Sequence, residues 1–393
     1  DPLTAPMGVR QGGAIMRVRL FAVVLATAFL VVGCTGQPPA GPVVGISAGG
    51  NHTCVVRGNG TVACWGDNAA GWLGDGTTTG SSVPVGVVGI TDAIAVTNSD
   101  YQSCALHADG RVSCWGFNGQ GQLGNGTTTA SSVPVPVTGI TNATAVAIGN
   151  THSCALLADG GVSCWGYNVN GELGNGTTVP LSTVPVPVTG ITNATALAAN
   201  AFHSCAVLAD GRVECWGGNN YGQLGNGTSL QSNVPVAVTG LTDATDLAVG
   251  YYHSCAIVGG GGAACWGQGG YGQLGDGVRP SFALVPVAVS GMTDATALIA
   301  GDRHTCAILG NGDMSCWGSN WFGQLGNGTN DESIAPIAVP GITGVTDLAA
   351  GTGHTCVIVD DEAASCWGYN ASGQLGNGTT MSSNVPVPVP GLS

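Results

Sequence analysis

The chain has 393 residues, 44% hydrophobic and only 8% charged, with no lysine and a formal net charge of −14. Beyond residue 34 its only Lys or Arg residues are Arg57, Arg111, Arg212, Arg279 and Arg303. Binding to a phosphate backbone depends on clustered cations that release counterions, so this composition excludes nucleic acid as a partner.

Residues 1–15 read as sequence upstream of a start at Met16. Met16 to Arg19 is a short basic segment, followed by an uncharged apolar stretch from Leu20 to Val32. That stretch is too short to cross a bilayer comfortably and has the form of a signal peptide, residues 16–33. It closes on Val31-Val-Gly-Cys34, an ending similar to a bacterial lipobox, which makes Cys34 the expected lipidation site. Residues 34–42 form a Gly/Pro tether. The expectation is an exported protein, lipid-anchored at a bacterial cell envelope or secreted.

From residue 43 to 393 one phrase occurs seven times: two cysteines ten positions apart, the second followed by Trp-Gly. The pairs are Cys54 with Cys64, Cys104 with Cys114, Cys154 with Cys164, Cys205 with Cys215, Cys255 with Cys265, Cys306 with Cys316 and Cys356 with Cys366. They recur every 50 or 51 residues. So regular a period means an array of identical supersecondary units. The second copy reads as four short strands, Ala93–Val96, Ser103–His107, Arg111–Gly116 and Val133–Val137, with no helical periodicity. The fourth carries prolines, which cannot donate to a ladder, and belongs at a sheet edge.

A three-residue loop Ala108-Asp109-Gly110 pairs His107 with Arg111 and sets Cys104 opposite Cys114. A two-residue turn would instead face Cys104 with Trp115. Directly opposed residues are close enough for a disulfide, so seven cross-strand bridges are expected in an oxidising compartment. A metal reading competes, because His52, His152, His203, His253, His304 and His354 each stand two residues before a cysteine. Copy two has Gln102 there, and two Cys with one His leave a tetrahedral site unfinished. No metal and no cofactor are therefore expected.

Seven four-stranded antiparallel units predict an all-β fold, a seven-bladed β-propeller. Val43 to Ser47 opens the first unit and Val385 to Val389 ends the last, which suggests a ring closed by the C-terminal strand. The phrases His-Ser-Cys-Ala-Leu, Asp-Gly-x-Val-x-Cys-Trp-Gly and Gly-Gln-Leu-Gly-Asn-Gly-Thr resemble the regulator of chromosome condensation repeat family. The resemblance covers roughly Val43 to Ser393 and implies the same propeller. The family's eukaryotic founder exchanges nucleotide on a GTPase and docks on chromatin, roles that fit poorly with acidity and an export signal. A secreted bacterial relative, the type II β-lactamase inhibitory protein, is the nearer comparison, and it binds its target with aromatic-rich loops on one face.

Cys, Trp-Gly and Leu-Gly-Asp/Asn-Gly barely vary among the copies, whereas two column groups vary freely. Tyr101, Phe202, Tyr251 and Tyr252 precede the first cysteine. Phe117, Tyr167, Tyr221, Tyr271, Trp321, Phe322 and Tyr369 follow Trp-Gly. In a meander both places lie at the same end of the sheet, so these residues are the candidate binding face. Aromatic clusters supply binding hot spots. The expected function is a non-enzymatic, monomeric scaffold for an envelope or extracellular protein, with carbohydrate or cell-wall binding as the alternative. No catalytic residue is expected: the repeated His is architectural and His107 has no evident nucleophile or carboxylate partner. The acidic turn Asp360-Asp361-Glu362 reads as solvated.

Overall fold

The computed structural model describes residues 41–360 and 363–392. The signal-type segment, Cys34, most of the tether, and Asp361 and Glu362 lie outside the described residues. Among the described residues twenty-eight strands form seven four-stranded antiparallel sheets, each made of four consecutive strands. The innermost strands pack in a circle, Val43–Ala48 touching both Ala93–Asn98 and Val345–Ala350, so the sheets are the blades of a seven-bladed propeller.

The second blade illustrates why these residues fold so. Its strands are Ala93–Asn98, Gln102–His107, Val112–Gly116 and Ser131–Pro136. His107 donates its N–H to the Arg111 carbonyl at 2.9 Å, and Gly110 takes the left-handed conformation (φ 82°) that a three-residue loop requires. Cys104 thus falls opposite Cys114.

The same register recurs around the ring, and all seven expected disulfides are present. Cys54 is bonded to Cys64, Cys104 to Cys114, Cys154 to Cys164 and Cys205 to Cys215. Cys255 is bonded to Cys265, Cys306 to Cys316 and Cys356 to Cys366. Their Cα–Cα distances are 4.0–4.1 Å, the close approach of directly opposed strand residues. All fourteen are fully buried between blades.

The fourth strand starts two residues earlier than its apolar pattern suggests. A bulge opposite Trp115 absorbs Pro134, and the Ser131 hydroxyl donates to the Val133 carbonyl at 2.6 Å. The proline strand is outermost, where a missing N–H costs nothing.

Each blade interface holds one apolar cluster, combining the disulfide and strand residues of one blade with a tryptophan of the next. Cys104, Leu106, Leu123 and Ile140 pack with Ala155 and Trp165, for example. The seven Trp residues that follow the second cysteine are fully buried. Each indole N–H reaches back to a loop carbonyl of the preceding blade, as Trp165 does to Gln122 at 2.8 Å. The glycine two residues after that carbonyl is required: Gly124 has φ 66°, and a Cβ there would lie 2.7 Å from the Trp165 indole nitrogen.

One expectation is corrected. The ring is not closed by the C-terminal strand, because Ser383–Pro388 pairs with Ala363–Gly368 in its own blade. Val43–Ala48 already supplies the first blade with its inner strand, so no place is left to exchange. The seam between last and first blades has the tryptophan bond and apolar cluster of the other interfaces, and adds a bond from the Ile46 N–H to Asp347 at 2.9 Å. Trp65 donates to the Gln374 carbonyl at 2.9 Å, and Val43 and Trp65 share a cluster with Leu375, Val389 and Leu392.

Candidate functional site

In every blade the residue after Trp-Gly donates its N–H to the carbonyl of the residue before the His position. Phe117 bonds Tyr101 at 2.9 Å, Gln268 bonds Tyr252 at 2.8 Å and Ser319 bonds Arg303 at 2.8 Å. This bond ties the two variable columns together at one end of each sheet. The aromatic residues there gather in groups. Phe202, Tyr221, Tyr251 and Tyr252 form the largest, with ring centroids 4.5–5.9 Å apart. Tyr271 meets Trp321 edge-on at 5.3 Å, and the Arg303 guanidinium lies 4.6 Å from the Tyr271 centroid. Phe322 packs on Tyr369 at 4.7 Å, and Tyr101 on Phe117 at 6.4 Å. Among the described residues Tyr167 pairs with no other ring. Trp321 is 49% exposed, Tyr101 43% and Phe322 41%.

Trp72, which stands outside both variable columns, is buried beneath this surface. It occupies the Gln position of Gly-Gln-Leu-Gly in the first blade, stacks on His52 and meets the tilted ring of Tyr101, each 6.1 Å away. Its departure from the repeat is the signal that the sequence carries.

Beneath the surface runs a relay. His52 Nε2 lies 2.8 Å from the Ser103 hydroxyl, which donates to the Trp72 carbonyl at 3.0 Å. The hydroxyl has one hydrogen and spends it on the carbonyl, so the imidazole is the Nε2–H tautomer and acts as donor. The same bond joins His152 to Ser204, His203 to Ser254, His253 to Thr305, His304 to Thr355 and His354 to Thr53. In the second blade Gln102 Nε2 does the same to Ser153 at 3.0 Å. These histidines bridge blades; burial pushes them down to about 3 or 4, holding them neutral.

Five of the seven residues that stand four positions before a first cysteine, Gly50, Asp100, Tyr251, Asp302 and Thr352, come together at one mouth of the wheel. There a cavity of about 400 Å³ is lined by Asp100, Tyr101, Tyr251, Tyr252, Asp302 and Arg303, among others. It opens onto the central channel, about 250 Å³, whose walls are the seven inner strands. Asp100 accepts from Asn150 Nδ2 at 2.6 Å and from the Thr352 hydroxyl at 3.3 Å. Burial raises the Asp100 carboxyl, and burial together with the Asp100 charge pushes Asp302 up to about 7. The candidate tyrosines are legible one residue away, but neither carboxylate is.

His107 corrects a second expectation, since it has both a carboxylate and a hydroxyl partner. Its Nδ1 lies 2.6 Å from Asp92 Oδ1 and its Nε2 lies 2.9 Å from the Ser113 hydroxyl. The order is that of a catalytic triad. Ser113, however, sits mid-strand, paired to Ala105 on one side and Pro136 on the other. A tetrahedral intermediate needs free donors aimed at its oxyanion, and paired strands do not offer a ready set. His107 fills a place held by Leu157, Leu208 and Leu309 in other blades, with its polar atoms satisfied.

Residues 26–337 match the family model of the RCC1-like domain, and residues 345–374 and 366–393 match models of the regulator of chromosome condensation (RCC1) repeat. The chain belongs to the RCC1-like domain family. Among solved structures it is similar to human WBSCR16, at 24% identity and TM-score 0.73, covering 81% of this chain and 88% of that one. It is also similar to Prp20p of Saccharomyces cerevisiae, at 19% identity and TM-score 0.73, covering 89% and 86%. The ectodomain of the Physcomitrella patens receptor kinase CR4 is more distant, at 23% identity and TM-score 0.53, covering 84% and 73%. No curated protein matches the chain in sequence. These likenesses establish the shared fold.

Proposed function

We propose that this RCC1-like propeller is a non-enzymatic scaffold that binds a protein partner on its aromatic end. The observation that carries the reading is the grouping of exposed and half-buried rings on the two columns that differ between otherwise near-identical repeats. Large rings with few rotatable bonds lose little entropy on docking, and such residues dominate interface energetics. Prp20p has binding properties toward Gsp1p and histones, a protein-binding use of the same fold. Its partners are not carried over at that identity. Seven disulfides are compatible with an oxidising, extracellular setting, which supports an exported protein held through Cys34 or released.

The test compares proteins retained from the native envelope by the wild type and by a Tyr252→Ala, Trp321→Ala, Phe322→Ala variant. A partner lost by the variant, at unchanged melting temperature, is the expected result. Identical partner sets would overturn the reading, and retention on purified cell wall free of protein would replace it with glycan binding. Esterase turnover that disappears in Ser113→Ala would overturn the non-enzymatic part.

A further inference from the structure

We propose that the mouth of the central channel binds one organic cation, an ammonium or guanidinium group, between Asp100, Asp302 and the rings of Tyr101, Tyr251 and Tyr252. It deepens the protein-binding reading and rests on it in one respect: the cation is assigned to a lysine or arginine side chain of the docked partner.

The place is built by symmetry. Counting four residues back from each first cysteine gives Gly50, Asp100, Asn150, Ala201, Tyr251, Asp302 and Thr352. Five of these, all but Asn150 and Ala201, line the cavity, and Asp100, Asp302 and Thr352 line both it and the channel.

The two carboxylates are not spent on the scaffold. Asp246 and Asp347, buried in inner strands, show what a structural carboxylate looks like here. Asp347 accepts the N–H groups of Ile46 and Leu348, each at 2.9 Å. Asp100 and Asp302 accept no backbone N–H among the described residues. Apart from Asn150, one donor serves both, the Thr352 hydroxyl, and its single hydrogen reaches only one of them at a time. Asp302 in particular keeps acceptor capacity that the fold does not fill, and it borders the cavity, where a donor from a ligand can reach it. Arg303, next in sequence to Asp302, is not their partner, because its guanidinium lies against Tyr271 and Trp321.

Charge and shape then select the ligand. With both carboxylates ionised, the lining carries two negative charges against one guanidinium, a surplus that suits one monocation. A calcium ion takes roughly six to eight oxygen ligands, more than two aspartates and a threonine supply. Three tyrosine rings on the wall favour an organic cation instead, since ring faces attract ammonium and guanidinium groups. The cavity is large enough for such a headgroup. The Asp302 carboxyl, raised to about 7 beside Asp100, becomes easier to ionise when a cation neutralises the pair. Among the described residues Arg303 is the only other permanently charged group facing it, and burial keeps all three tyrosines neutral near pH 7. Affinity is therefore expected to rise between pH 6 and 8.

The experiment is a calorimetric titration of the whole protein, without any partner, using arginine amide, n-butylammonium and calcium chloride. The variants are Asp302→Asn, Tyr251→Ala and, at the opposite end, Asp210→Asn. Asparagine is already accommodated in this column as Asn150, and near-ultraviolet circular dichroism confirms the fold of each variant. Saturable one-site binding of an organic cation is expected, roughly tenfold weaker in Asp302→Asn and Tyr251→Ala and unchanged in Asp210→Asn. Non-saturable heats, equal affinity in Asp302→Asn, or calcium bound in preference would each overturn the site. Partner retention by Asp302→Asn decides the source: loss supports a partner side chain, and full retention alongside positive titration assigns the pocket to a free cation. Because the titration contains no protein partner, its failure leaves the aromatic-face comparison standing, and the reverse also holds.

Discussion

Six histidines stand where the repeat could have carried metal ligands, and their chemistry is decided by what lies across the blade interface. Five of them give the Nε2 hydrogen to a hydroxyl of the next blade that itself donates to a carbonyl. His152 lies 2.8 Å from the Ser204 hydroxyl in the same way, and Gln102 performs the task with an amide. Gln102 is readable in the sequence as a break in a His-x-Cys pattern, and it argues against a ligand role without any geometry. The donor role is not readable, because the accepting hydroxyl belongs to another copy some fifty residues away. Neutrality has a pH consequence. In the unfolded chain a histidine protonates near 6.5, whereas His203 in the fold is pushed down to about 3. Between those values the unfolded chain binds more protons, so the stability contribution is complete above 6.5 and is lost as pH falls toward 3. Asp246 and Asp347, raised to about 6, act the other way: their folded forms take up protons first, and stability is gained as pH falls from 6 toward 3.8. Six histidines outweigh the buried aspartates, so urea midpoints are expected to fall from pH 6 to pH 4. His203→Gln should keep the inter-blade bond, as Gln102 does, and shift stability at pH 7 by less than about 1 kcal/mol. It should also remove about 1.4 kcal/mol per pH unit of the acid loss. An unchanged pH slope in the variant would contradict the neutral-donor role.

Within a blade, the hairpin register is the most legible element, because cysteine spacing and the Asp-Gly turn together admit few pairings. Cys104 opposite Cys114 and Gly110 in the left-handed region follow from counting alone. The outer strand is less legible. Ser131 starts pairing two residues before the apolar pattern begins, because its hydroxyl caps the bulge that accommodates Pro134. Leu-Gly-Asn-Gly reads as scaffold from its sameness alone, and the physical reason lies in the neighbouring blade. Gly124 lets its loop approach the Trp165 indole, and its φ of 66° disfavours any side chain. Gly139 is a useful contrast, with φ 77° and nothing within 4 Å of a Cβ. Gly139→Ala should cost only the backbone strain, about 1–2 kcal/mol. Gly124→Ala adds overpacking against a closed interface and should cost about 2–5 kcal/mol. Chemical denaturation of the two variants measures the difference, and equal losses would mean that the Trp165 contact yields freely.

For the whole molecule, seven near-equal units leave two things to be settled that a single repeat cannot show. One is convergence. Tyr101, Tyr251 and Tyr252 stand out in the sequence as variable, yet the neighbouring Asp100 and Asp302 acquire meaning only when the ring brings them to one cavity. The other is closure, where the ends of the chain suggest strand exchange and the blades are instead self-contained. A ring of that kind has no privileged seam, and the relay provides a matched comparison. Thr53 at the seam accepts from His354 at 2.9 Å and donates to the Gln374 carbonyl at 2.9 Å. Thr305, inside the ring, accepts from His253 at 2.9 Å and donates to the Gln273 carbonyl at 3.0 Å. Replacing either by valine keeps the shape but leaves a buried imidazole N–H without its acceptor, a loss of about 1–3 kcal/mol. Because the carbonyl still receives a tryptophan N–H in both places, the remaining cost should be the same. Thr53→Val and Thr305→Val are thus expected to lower the urea midpoint equally. A markedly larger loss for Thr53→Val would show that the first and last blades are held by something the other six interfaces lack.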